Sequence, residues 1–151
     1  MTSASGGRSA AQNHAARDAA LRVLYFCEVG GAQPGEAMEA FFAEHVPDVD
    51  ERVRALASEI VLGTIADLAA IDRLIANQSQ HWRIERLAVL DRLILRIGTW
   101  ELRAHPETPP AIVLNEALEL ARTYSSDTSV PFVNGVLDGI RKTLGSRHVE
   151  G

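Results

Sequence analysis

The segment IERLAVLDRLILRIGTWELRA, from Ile84 to Ala104, reads as one amphipathic helix. Leu87, Leu90, Ile94 and Ile97 recur every three or four residues and Leu102 follows, which is the period of a helix that buries one face. His105, Pro106 and Glu107 end it. The stretch Leu87–Ile97 is also the longest apolar candidate in the chain. Asp91, Arg92 and Arg96 break it well short of the roughly 18 residues of a membrane span. No membrane association is expected.

The same period extends outward in both directions. Upstream, a first helix runs from about Ala10 to Val29. Ala16, Ala20, Val23 and Cys27 form its stripe, Ala19 and Leu24 lie beside it, and Gly30 and Gly31 stop it. A second covers about Pro34 to His45, with Met38, Phe41 and Phe42 apolar. A third begins near Asp50 and carries Val53, Leu56, Ile60, Val61, Ile65 and Leu68. It continues, straight or bent near Asp67, to Ile71, Leu74 and Ile75. Downstream, Pro109–Pro110 opens a helix to Tyr124, since prolines are tolerated in a first turn. Ser129 suits the N-cap of a last helix, in which Phe132, Val133, Val136, Leu137 and Ile140 face inward and which Gly145 closes. The expectation is an all-α chain of about six to seven helices over residues 10–145. Polar tails, 1–9 and 146–151, are expected to be disordered.

Composition narrows the function. The 151 residues suit one compact domain, and 46% hydrophobic content gives it a core. Net charge is −5, which excludes a histone-like polycation. A single cysteine, Cys27, excludes a disulfide framework and a multi-cysteine zinc site and suits a reducing cytosol. Residues 1–13 have no apolar core, so they are not a signal peptide.

The residues of an enzyme are missing. His14, His45, His81, His105 and His148 show no i, i+4 pair and no HExxH pattern, so no metal is expected. No phosphate loop, dinucleotide fingerprint or GxSxG elbow is present. Cys27 sits on the expected buried stripe, where a thiol behaves as a small hydrophobe. Glu116 and Glu119 read as a solvated helix face. No catalytic residue and no cofactor is expected. Gly63, Gly98, Gly135 and Gly139 lie inside helices, at about 1 kcal/mol each relative to Ala. Gly135 and Gly139, four apart, serve either tight internal packing or a flat face for a partner.

Charge is uneven along the chain. From Gly35 to Ile60, seven acids meet two bases, Arg52 and Arg54, for a local net of −5. From Arg141 to His148 there are three bases and no acid. The basic residues are 14 Arg and one Lys. Guanidinium suits RNA because it forks onto phosphate and stacks on bases, but genomic base composition produces the same bias. Tyr25, Tyr124 and Phe132 stand near helix ends, close to Ser129 and Asn134. That placement fits half-buried packing, and it also fits stacking of single-stranded RNA.

Three ordered motifs then point to one family. Leu93–Leu102 resembles the LRIAxxEL segment of the transcription antitermination factor NusB. Asn115–Tyr124, preceded by Pro110 and Val113, resembles its INEAVELAK helix. Ser129 with Phe132–Asp138 is similar to its FVNGVLD signature. Arg17, Ala20, Leu24–Tyr25 and Glu28 resemble its N-terminal QALY motif. The resemblance covers about residues 14–144.

It implies two packed helical subdomains and a non-enzymatic, cytoplasmic role. NusB pairs with NusE, a small-subunit ribosomal protein, on the boxA element of nascent ribosomal RNA within the RNA polymerase antitermination complex. Carried over residue by residue, the RNA face maps to Arg17, Tyr25, Tyr124, Ser129 and Phe132, with Arg22 and His14 matching more loosely. The NusE face maps to Trp100 and Glu101, the glutamate meeting a basic partner group. The chain departs from the family in its scattered Arg8, Arg17 and Arg22, where an arginine run is common. Fewer phosphate contacts predict weaker RNA binding alone. A NusB-like domain also begins some RNA methyltransferases, but no catalytic domain is expected after Gly151. The rival reading is a protein-interaction module, monomer or homodimer, whose RNA face is silent.

Overall fold

The computed structural model describes the backbone of residues 8–78 and 81–150 and the side chains up to residue 145. Among these residues there are seven α-helices and no strand. They are α1 (Ala10–Gly30), α2 (Pro34–His45), α3 (Glu51–Ala66), α4 (Leu68–Ala76), α5 (Val89–Ala104), α6 (Pro110–Tyr124) and α7 (Ser129–Glu150), with one 3-10 turn at Ile84–Arg86. The chain divides into two compact units, one ending at Gly63 and the other starting at Thr64.

In the first unit, α1 starts with a capping box. The Ser9 hydroxyl accepts from the Gln12 amide at 3.1 Å, and the Gln12 carboxamide accepts from the Ser9 amide at 2.9 Å. Ser9 therefore belongs to the helix and not to the expected tail, whose first seven residues lie outside the described ones. At the other end Gly31 takes φ +72°, and its amide donates to the Cys27 carbonyl at 3.1 Å. The buried face of α1 is mostly small: Ala16, Ala19, Ala20, Leu21, Val23 and Leu24. Small side chains let α2 come close with Ala37, Met38, Phe41 and Phe42. Cys27, expected on this face, is only half-buried, and burial pushes its thiol pKa up.

Two cation–π contacts tie this unit together. The Arg22 guanidinium lies 5.1 Å from the Phe41 ring centroid, and that of Arg54 lies 5.2 Å from Phe42. Asp50 starts α3 by accepting from the Arg52 amide at 2.8 Å. Arg52 also pairs with its carboxylate and holds the Asp50 pKa down to about 2. Val53, Ala57, Ile60 and Val61 then turn inward, whereas Leu62 and Ile65 stay exposed.

The second unit is built around α5, which packs against α4, α6 and α7. Leu93, Ile94, Leu95 and every residue from Ile97 to Glu101 are buried. A helix enclosed on several sides keeps little solvent face over that length. Arg96, within this stretch, pairs through two nitrogens with Asp72 of α4 at 2.8 and 2.9 Å. The expected single helix from Ile84 is broken: Leu87 and Ala88 are extended, with ψ 150° and 142°. Arg92 explains the break, since its Nη1 reaches back to the Leu87 carbonyl at 3.2 Å and the Ile84 carbonyl at 3.5 Å. Near Asp67 the third periodic segment divides into α3 and α4.

α6 buries Val113, Ala117, Leu120 and Ala121, and α7 buries Val133, Val136, Leu137 and Ile140. α7 runs past Gly145 to Glu150, so the expected stop at Gly145 does not occur. A glycine closes a helix by adopting positive φ, and Gly31 is the one described glycine that does so.

The interior glycines divide by surroundings. A Cβ on Gly98 would lie 2.8 Å from a methyl of Leu137, which is fully buried. A Cβ on Gly139 would meet the Gln78 carboxamide, so that glycine serves packing within the chain. A Cβ on Gly135 would meet open space. Gly98→Ala is therefore expected to destabilise by about 1–3 kcal/mol through overpacking. Gly135→Ala should stabilise by up to about 1 kcal/mol through helix propensity. Urea unfolding followed by circular dichroism checks both signs.

Candidate nucleic-acid interface

α1 carries the first group of expected site residues. Arg17 is buried, at 6% exposure. Arg22 is half-buried, with its guanidinium on the Phe41 ring. Tyr25, one turn further on, is 37% exposed, and Phe26 and Val29 are exposed beside it in sequence. His14 is half-buried. The C-terminal end of α1 thus offers an aromatic and apolar surface with little free positive charge.

The second group lies in the other unit, where a polar network sets its geometry. Asp91, in the first turn of α5, accepts from the Ser129 hydroxyl at 2.9 Å through one carboxylate oxygen and from the Ser125 hydroxyl through the other. Ser125 and Ser129 lie 2.9 Å apart through their hydroxyls, and Ser126 and Ser129 lie 3.1 Å apart. Asp91 therefore joins the start of α5 to the α6–α7 connection. Ser129 was expected to cap α7. It is instead the first helical residue, is 6% exposed, and spends its hydroxyl on Asp91. It holds the connection in place and does not meet solvent.

On either side of this network stand two half-buried aromatics, Tyr124 at the end of α6 and Phe132 in the first turn of α7. Phe132 meets Trp82 edge to face, with centroids 5.6 Å apart. Periodicity missed Trp82 because it precedes the 3-10 turn and lies on no helix. The only sequence signal for it was a tryptophan among His81, Arg83 and Arg86.

Trp100 and Glu101, expected to meet a partner, are buried at 5% and 6% exposure. The Trp100 ring packs edge to face on His105, with centroids 5.2 Å apart. His105 in turn reaches the Glu107 carboxylate at 2.7 Å. The Glu107 carboxyl lies below its ordinary range because its own backbone amide and the His105 ring donate to it. Among the described residues, no three of His, Cys, Asp and Glu converge as a metal-binding group.

Residues 14–142 match the NusB family model. The chain belongs to the NusB family. A transcription antitermination protein NusB from Sorangium cellulosum is 46% identical over 129 residues, which cover 85% of this chain and 91% of that protein. Its counterpart from Pelotomaculum thermopropionicum is 41% identical over 83% of this chain and 85% of its own length. Among solved structures, T. maritima NusB superposes with a TM-score of 0.79 at 30% identity, covering 86% of this chain and 90% of its own. NusB in a crystal structure of antitermination factors NusB and NusE with dsRNA superposes at 0.81 and 28% identity, over 89% of this chain and 99% of that one. The NusB fold of this chain is all-α.

Asp91→Ala leaves the Ser125 and Ser129 hydroxyls without their shared acceptor. The expected loss is about 1–3 kcal/mol of stability. Denaturant unfolding measures it, and Ser126→Ala, which does not touch Asp91, should cost clearly less.

Proposed function

We propose that this chain is an RNA-binding transcription antitermination factor. It acts with NusE on the boxA element of nascent ribosomal RNA and promotes read-through by RNA polymerase, without enzymatic activity or cofactor and in the cytoplasm. The observation that carries this reading is the pair of half-buried aromatics, Tyr124 and Phe132, held on either side of the Asp91 network at the junction of α6 and α7. Aromatic faces fixed beside polar helix ends hold unpaired bases at about 1–3 kcal/mol per base. The family membership and a NusB–NusE–dsRNA complex among the structural neighbours support the same reading.

In this proposal the site residues divide by exposure. Tyr25, Tyr124 and Phe132 face the RNA. Arg22 adds charge from beside Phe41, and Arg17 and Ser129, both buried, position the contact residues. Trp100 and Glu101 support the NusE-facing helix from within, since neither side chain is presented on the free chain.

A second reading rests on exposed Phe26 and Val29 beside Tyr25. Such a patch suits a protein-interaction module or a homodimer. RNA titration with and without NusE separates the readings. The first expects binding of boxA-type RNA to tighten when NusE is added, to exceed binding of scrambled RNA, and to weaken with salt. It also expects Phe132→Ala to lose about 1–3 kcal/mol of binding with helical content unchanged. Equal binding of boxA-type and scrambled RNA with NusE present at low salt contradicts it.

A further inference from the structure

The turn after α4 carries a group of residues that none of the family motifs covers. Trp82 is a half-buried indole outside any helix, held by the edge-to-face contact with Phe132. Beside it, His81, Trp82, Arg83, Arg86 and Leu87 line an open recess of about 320 Å³.

Among the described residues, the two arginines share with Arg73 of α4 an exposed position without an ion pair, and they differ from it in lying beside an aromatic recess. Arg52, Arg96, Arg103, Arg122 and Arg141 are paired with carboxylates. Arg22 and Arg54 lie on phenyl rings. Arg83 and Arg86 are exposed, and among the described residues neither has an ion pair. Glu85 lies between them and removes part of the charge, and Arg92 is occupied by the turn's own carbonyls. Those carbonyl bonds matter for a second reason. With the Arg86 amide on the Arg83 carbonyl at 3.0 Å and the Leu87 amide on the Ile84 carbonyl at 3.3 Å, they fix the backbone that carries both arginines. A recess held in shape loses little entropy on binding.

We propose that this turn is an RNA-contact element continuous with Phe132. Trp82 extends the stacking surface by one unpaired base, and Arg83 and Arg86 hold the flanking phosphates of the same strand. The proposal rests on the RNA-binding reading above. It also answers a deficit in that reading: the N-terminal arginines are few, and those on α1 are buried or engaged. The turn supplies two unengaged guanidiniums, a planar cation suited to phosphate. Charge complementarity and continuity with Phe132 both favour single-stranded RNA as the occupant.

The test is RNA binding in the presence of NusE, with a short single-stranded boxA-type RNA across a salt series. It compares the wild-type chain with an Arg83→Gln, Arg86→Gln double variant. Both side chains are exposed, so the fold does not depend on them. Losing two phosphate contacts should weaken binding at least tenfold at low salt and make the slope of log affinity against log salt shallower by about 1.4. Intrinsic fluorescence gives a second reading. RNA should quench the wild-type chain through Trp82, because Trp100 is buried, and Trp82→Phe should abolish the quench. Wild-type binding with unchanged affinity and slope in the double variant overturns the inference and leaves the RNA-binding reading standing. A quench that survives in Trp82→Phe also overturns it. If the wild-type chain binds no RNA at all, the broader reading fails and the inference fails with it.

Discussion

One carboxylate organises the part of the molecule that carries the proposed RNA contacts. Asp91 stands in the first turn of α5, where the helix dipole favours a negative charge. It spends both oxygens on hydroxyls of the α6–α7 connection. The connection is short and polar, and without that anchor the Ser125 and Ser129 hydroxyls would have only neighbouring hydroxyls and water. With it, the end of α6 and the start of α7 have fixed positions relative to α5. Tyr124 and Phe132 are the aromatic residues immediately flanking the anchored segment. Their placement is a consequence of Asp91 as much as of their own packing.

The enclosure of α5 is the second constraint. Three helices surround it, so most of Leu93–Glu101 is interior. That enclosure explains why a motif matched by sequence to a partner-facing helix has its two named side chains, Trp100 and Glu101, beneath the surface. It also explains Gly98, where the buried methyl groups of Leu137 take the space a Cβ would need. What α7 leaves open lies elsewhere: Gly135 faces free space although Gly139, one turn on, is covered by Gln78. Two glycines on one helix face can thus have different surroundings, because α7 meets the end of α4 near only one of them.

Helix number, helix type and most buried positions were legible in the sequence, because apolar period reports which face is covered. Met38, Phe41 and Phe42, or Val133, Leu137 and Ile140, follow that rule. Its failures share a cause: a specific side-chain contact overrides the apolar period. Arg92 breaks the helix expected from Ile84 by binding two carbonyls before α5. Asp91 draws Ser129 away from capping. Trp82 has its aromatic partner, Phe132, in another helix, so no local pattern marks it. The degree of exposure of Arg17 was likewise illegible, because one residue's period does not say how many neighbours cover it.

Net charge of −5 does not by itself oppose an RNA role, because the excess acid lies between Gly35 and Ile60. Seven acids there leave the rest of the chain near neutrality. The proposed function therefore turns on location: RNA would meet Tyr25, Tyr124, Phe132, Trp82, Arg83 and Arg86 and avoid the acidic helices. Amide chemical-shift mapping on the isotopically labelled chain with NusE and boxA-type RNA reads this directly. RNA-induced changes are expected around Tyr25, at 81–87 and at 124–132, with α2 and the start of α3 unchanged. Changes concentrated on residues 36–59, with 81–87 and 124–132 silent, would contradict it.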